Sequence, residues 1–250
     1  APFVAYAAVA VIAVRLRDWR AGDRSVYAVL NGNGQRHWPA LAVVPALIAL
    51  GCVSIAVYFL TFTPAFFYTI DPLTMHDLLP FQLRMYAEQT QVLPSHPYQS
   101  SWWTWPLLIR PIWYLYEPVD GAVRGVLMIG NPAVCWGGLI AVIACFWAAW
   151  RDGAVKLFAV AMLWVGAFAM WILIPKSLGF FYYYYLPSIF LALPLAGVCQ
   201  HYARGKRAYW DETFVVICAV LFAYFYPIIS AMPLAGPQSF HRWMWFGTWP

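Results

Sequence analysis

The chain is short of charge. Only 10% of its 250 residues are Asp, Glu, Lys or Arg, against roughly 25% in a typical soluble domain. With 63% apolar residues, too few polar side chains remain to cover a water-facing surface. Cysteine is also scarce. Cys52, Cys135, Cys145, Cys199 and Cys218 sit in or beside apolar runs and form no CxxC pair. That excludes a disulfide framework or a thiolate metal site and leaves small apolar packing residues. No strand pattern precedes the Asn31-Gly32-Asn33-Gly34 stretch and no Gly-Lys-Ser/Thr follows it, so it reads as consecutive turns rather than a phosphate loop. No cofactor and no metal are expected.

The missing charge is missing in blocks. Residues 37–70, 125–150, 157–175, 177–203 and 213–241 contain no Asp, Glu, Lys or Arg, and roughly 20 apolar residues suffice to cross a bilayer as a helix. Residues 1–14 form a shorter apolar stretch that begins with Ala. It reads as the tail of a truncated helix. A cleaved signal peptide fits less well, because no basic segment precedes it.

The formal charge of +5 is a topology signal rather than a nucleic-acid footprint. Arg15, Arg17, Arg20, Arg24 and Arg36 fall between the first two spans, Arg151 and Lys156 between the third and fourth, and Arg204, Lys206 and Arg207 between the fifth and sixth. Basic residues in alternate loops place those loops in the cytoplasm. The expected helices are 1–15, 39–60, 128–150, 154–174, 181–200 and 212–231.

Segment 61–127 then faces away from the cytoplasm. It holds half of the acidic residues (Asp71, Asp77, Glu88, Glu117, Asp120) and the cluster Trp102, Trp103, Trp105, Trp113, Tyr114 and Tyr116. Leu73 to Gln89 reads as a helix, and 102–116 as a segment lying in the membrane interface. Pro94, Pro97, Pro106, Pro111 and Pro118 would make the surface irregular and fixed. A long structured loop on one face marks the functional side.

The string His96-Pro97-Tyr98-Gln99-Ser100-Ser101-Trp102-Trp103-Thr104-Trp105-Pro106, running on through Leu107 to Tyr114, resembles the signature loop of protein O-mannosyltransferases, glycosyltransferase family 39. Three further pieces follow in the family's order: Gly130-Asn131-Pro132 with Trp136, Phe181 to Pro187, and Pro233 to Trp245. The resemblance covers roughly residues 60–250. It implies an all-α, polytopic transmembrane bundle of the GT-C type, here the C-terminal half, with about six spans and one long structured non-cytoplasmic loop. The parts would be 1–60 (two helices, the first truncated, and a cytoplasmic loop), 61–127 (the interfacial loop with the signature) and 128–250 (four-helix region and non-cytoplasmic tail).

The implied reaction is inverting transfer of mannose from polyprenyl-phosphate-mannose to Ser or Thr hydroxyls of secreted or membrane proteins, outside a bacterial plasma membrane. The partners are then the lipid-linked donor, the protein acceptor and the bilayer, with no nucleic acid. In the family an acidic pair after the first transmembrane helix supplies the catalytic carboxylate. The adjacent pair in this chain, Asp211-Glu212, sits at a helix start and reads as first-turn charge. The catalytic pair is therefore expected upstream of Ala1, and the chain is expected to be a fragment of the enzyme.

Such chemistry needs a carboxylate to take the hydroxyl proton and cations or donors to hold the departing phosphate. Arg84, Arg110, Arg124, Lys176 and Arg242 are the cations of the outer face. Arg110 and Lys176 are phosphate candidates, or an interfacial anchor and a snorkelling lysine. His96 and Tyr98 are candidates for sugar or acceptor binding, or for fixing the loop. Trp102, Trp103 and Trp105 could stack on a sugar or a lipid head group, or form a plain aromatic belt. Asp77 and Glu88 read as solvated loop charges. The alternatives are a related transferase acting on a lipid, a non-catalytic scaffold, and a transport subunit. The last is disfavoured because the spans carry no charge near their middles.

Overall fold

The computed structural model describes residues 2–21, 26–31, 42–174, 176–203 and 209–249. Gly32 to Gly34 of the expected turn stretch lie outside the described residues. So do Arg24, Arg36, Arg204, Lys206 and Arg207 of the topology argument. The chain packs as two units, residues 1–89 and 90–250. The sequence parts bounded at 60 and 127 follow hydropathy, and the two units meeting at 89 follow the proximity of backbone segments, which is a different division.

The first unit holds α1 (Pro2–Ala21), α2 (Val26–Asn31), α3 (Val43–Leu60) and most of α4 (Leu78–Thr90). Helix α1 runs about two turns beyond its apolar stretch, because Arg, Leu and Ala are good helix formers. Arg15, expected in a loop, is thus inside the helix and buried. α3 is apolar all round, the pattern of a helix surrounded by lipid or protein. At the start of α4 the Thr74 hydroxyl donates to the Asp77 carboxylate and accepts from the Asp77 amide at 3.2 Å. The first of these bonds leads the causes that hold the carboxyl below its usual range. Asp77 is the residue just before the helix, and its carboxylate is held by the Thr74 hydroxyl.

In the second unit α5 (Pro132–Asp152) is the central helix, packed against α6 (Val155–Leu173), α8 (Ala192–Tyr202) and α9 (Trp210–Ile229). Its buried face carries Cys135, Gly138, Ala141, Val142, Cys145 and Ala148, small residues that let neighbouring backbones approach. The two cysteines of that face are the packing residues the sequence predicted. Asn131 starts α5: its side chain accepts from the Ala133 amide at 3.1 Å, with Pro132 in the first turn. The same side chain donates to the Cys218 carbonyl of α9 at 2.8 Å. Asn131→Ala removes both bonds and is expected to cost about 1–2 kcal/mol. A lowered thermal midpoint in detergent would show it, and an unchanged midpoint would remove the cap from the argument.

Among the described residues four helices are long and apolar enough to cross a membrane, or five when the bent pair is taken as one span. That pair is Phe181–Ile189, which contains α7 (Tyr185–Ile189), and α8, bent by 40°. The sequence predicts one helix over 181–200. The break has a local cause. Pro194 has no N–H for the Phe190 carbonyl, which accepts instead from the Leu193 amide at 3.2 Å. α1 falls short of a span because Arg15, Arg17, Asp18 and Arg20 crowd its last two turns.

The outer segment holds an element the sequence analysis missed. Residues expected to lie in the interface fold as a 3-10 helix, Trp102–Leu107, and then as an antiparallel hairpin of β1 (Ile112–Val119) and β2 (Ala122–Met128). The turn is Asp120-Gly121, with φ of 53° and 75°. Two positive φ values form the tight turn that suits strand twist, and Asp-Gly is its sequence mark. β2 also pairs with the tail, where the Leu234 amide donates to the Val123 carbonyl at 2.8 Å.

Candidate functional site

A cleft of about 760 Å³ opens in the second unit beside the signature loop. One wall is Gln99, Ser100, Ser101, Trp102, Trp103 and Trp105, and the other is Trp171, Ile172, Lys176, Ser177 and Gly179. The walls are joined by backbone. The Ser100 amide donates to the Gly179 carbonyl at 2.8 Å, and the Ser177 hydroxyl donates to the Gln91 carbonyl at 2.8 Å. Trp105 is buried and its indole N–H donates to the Ser100 hydroxyl at 2.9 Å. That bond fixes the Ser100 hydroxyl at the rim and leaves an oxygen that can still bond outward.

Aromatic rings floor the cleft. Trp105 meets Trp171 edge-on at 5.1 Å, and Trp171 lies 4.8 Å from Tyr183. The Lys176 ammonium sits 4.5 Å over the Tyr183 ring, a cation–π position that holds the amine at the mouth. Among the described residues Lys176 is the cation of the cleft lining, and that lining holds no carboxylate. Trp102 packs edge-on against Phe168 at 5.3 Å, whereas Trp103 is 58% exposed. Trp103 is the indole face a ligand could cover. On the hairpin, desolvation first and the neighbouring Tyr182 second push the Tyr114 phenol up, so it stays neutral at physiological pH.

Of the residues singled out in the sequence, Trp102, Trp103 and Lys176 line the cleft. His96 and Tyr98 stand behind it. The His96 imidazole accepts from the Tyr98 amide at 3.1 Å and packs edge-on against Phe180 at 5.3 Å. Arg110 points elsewhere. Its guanidinium donates to the Pro97 carbonyl at 2.9 and 2.5 Å and to the Thr248 carbonyl at 3.5 Å. It ties the signature loop to the chain's last residues. Arg124 likewise donates to the Ala231 carbonyl just past α9, at 2.8 Å. The sequence analysis did not single out Ser100, Ser177, Gly179 or Trp171. A small-residue pair following Lys176 was the one available signal for the second wall.

These features define a multi-pass membrane protein that gathers indoles, hydroxyls and one ammonium in a cleft beside its spans. Residues 74–249 match the family model described as the C-terminal four TMM region of protein-O-mannosyltransferase. The four spans are α5, α6, the bent α7–α8 pair and α9. The chain belongs to the protein O-mannosyltransferase family.

It is 26% identical over 259 residues to the polyprenol-phosphate-mannose–protein mannosyltransferase of Mycobacterium tuberculosis, covering 86% of this chain and 49% of that protein. It is 28% identical over 158 residues to the dolichyl-phosphate-mannose–protein mannosyltransferase 1 of Schizosaccharomyces pombe, covering 55% and 17%. The chain thus spans about half the length of the mycobacterial relative. Among solved structures it is similar to a chain of the S. cerevisiae protein O-mannosyltransferase Pmt1-Pmt2 complex bound to the sugar donor. The TM-score is 0.54 at 19% identity, over 72% of this chain and 27% of that one, which is a likeness of fold.

Proposed function

We propose that this chain is the C-terminal part of an enzyme that moves mannose from polyprenyl-phosphate-mannose to Ser or Thr hydroxyls of proteins, outside a bacterial plasma membrane. The cleft is read as the place where the head of the donor rests. The observation that carries this reading is the position of Lys176, an ammonium held over Tyr183 among exposed and half-buried indoles. A departing polyprenyl phosphate gains negative charge as the bond to the anomeric carbon breaks, and a fixed cation stabilises that charge most when it is greatest. Trp103 offers its face to the sugar ring, and the Ser100 and Ser101 hydroxyls and the Gln99 amide offer hydrogen bonds to its hydroxyls. The acceptor oxygen bonds to the anomeric carbon from the opposite side and passes its proton to a carboxylate. In this reading the carboxylate comes from the N-terminal half of the enzyme, since the described lining of the cleft carries none.

The test is mannose transfer to a Ser/Thr peptide in membranes holding this chain fused behind the N-terminal half of the mycobacterial relative. Transfer is expected, and Lys176→Ala should lower it about a hundredfold, as the loss of one charge-stabilising donor does. Full activity of the Lys176→Ala fusion would remove the phosphate from this cleft. A well-folded fusion that transfers another sugar, or mannose to a lipid, would replace the assignment.

A further inference from the structure

A second concavity lies at the far end of the bundle. The first turns of α5 pack against the end of the signature loop's 3-10 helix, where the Trp136 indole donates to the Leu107 carbonyl at 3.2 Å. Some 13 residues on, about 20 Å along the helix, a groove of about 280 Å³ opens where α5 turns into α6. Its lining is Phe146, Ala149, Trp150, Val155 and Phe158, with no polar side chain. Phe146 and Phe158 meet edge-on at 5.8 Å across it. The exposed Trp150 stands at its rim with the exposed Trp147 at 5.1 Å.

Two facts say what covers it. Both helices are of membrane-spanning length and end here, so the groove opens at the boundary of the bilayer, where indoles prefer to sit. Cations also bracket it in sequence: Arg151 follows Trp150, and Lys156 follows Val155. Both are exposed. The carboxylate between them, Asp152, is engaged by His201 at 3.0 Å and reaches the Arg151 Nε only at 4.0 Å, with the Arg151 side chain 70% exposed. The charge left facing the lipid headgroups is positive.

We infer that this groove is a binding site for one anionic phospholipid. An acyl chain lies in the groove along the touching Phe146 and Phe158 rings, and the phosphate rests on Arg151 and Lys156. Apolar surface alone would accept any lipid. The paired cations select acidic headgroups, since each basic side chain at the membrane surface adds attraction for them. The site is separate from the sugar-transfer cleft and does not depend on the proposed reaction.

The chain is to be released from nanodiscs of equal phosphatidylglycerol and phosphatidylcholine, and the lipid it retains weighed by native mass spectrometry. One retained lipid is expected, enriched about tenfold in phosphatidylglycerol. Arg151→Gln with Lys156→Gln should return the ratio to that of the bilayer. Ala149→Trp, which fills the groove and leaves both cations in place, should remove the lipid altogether. Enrichment that survives the double substitution would overturn the inference, as would a lipid that survives Ala149→Trp. A chain dimer retained in place of the lipid would overturn it too.

Discussion

Gly179→Ala is expected to unseat the signature loop. A methyl group on Gly179 would lie 2.6 Å from the Ser100 carbonyl oxygen and 3.1 Å from the Trp105 ring. The first neighbour is backbone and cannot swing aside. The second is a buried indole already held by Ser100. The two strands of chain must separate, which breaks the bond from the Ser100 amide to the Gly179 carbonyl. Overpacking of this kind costs about 1–3 kcal/mol. The functional loss should be larger than the loss of stability, because the displaced atoms are the two walls of the cleft. In the fusion assay we expect mannose transfer to fall at least about tenfold while the protein still inserts and folds. Near-normal transfer by a folded Gly179→Ala protein would show that wall spacing does not matter to the reaction.

The second large effect is expected at Trp249. Its side chain is fully buried. The indole N–H donates to the Leu108 carbonyl at 2.6 Å, and the Trp249 carbonyl accepts from the Trp113 indole at 3.2 Å. Leu108 is held at φ 57°, a left-handed conformation unusual for leucine, where the 3-10 helix carrying Trp102 and Trp105 ends. The tail therefore acts as a peg. It joins the signature loop to the hairpin and to α9, whose Phe225 ring lies 6.1 Å from the indole. Trp249→Ala should lower stability by about 3–5 kcal/mol, the usual cost of deleting a large buried aromatic. Trp249→Phe keeps much of the packing and loses the bond to Leu108, so it should cost less, about 1–3 kcal/mol for the unpaired carbonyl. Thermal unfolding of the two variants in one detergent separates these terms. Equal losses would mean that ring volume carries little of the effect, and no loss in either would mean that the tail is not a peg.

The membrane character of the chain was legible because it is a property of composition and of contiguous runs. Blocks without charge between 37 and 241 must find lipid or protein, whatever their neighbours do, so the spans could be placed before any packing was known. The start of α5 was legible for a similar reason: Asn before Pro is a local signal that acts through local bonds. The hairpin also carried a local mark, Asp120-Gly121. The aromatic density around it favoured an interfacial reading, and the turn signal was passed over.

The site divides along the same line. Trp102, Trp103 and Lys176, singled out by residue type and motif, do line the cleft, and their role there is the proposal. Which of the cations faces the cleft could not be named in that way. Arg110, Arg124 and Lys176 are equivalent as letters. Only the fold turns Arg110 to Pro97 and Thr248 and Arg124 to Ala231, and leaves Lys176 over Tyr183. The second wall, Trp171 with Ser177 and Gly179, lies more than seventy positions from Ser100. Its approach depends on one carbonyl–amide bond and on the absence of a side chain at Gly179. The sequence by itself determined that this chain lives in a membrane and where its long apolar stretches lie, because hydropathy acts over a few turns. Tertiary structure alone decided which polar groups meet, because a hydrogen bond about 3 Å long is set by the packing of distant segments.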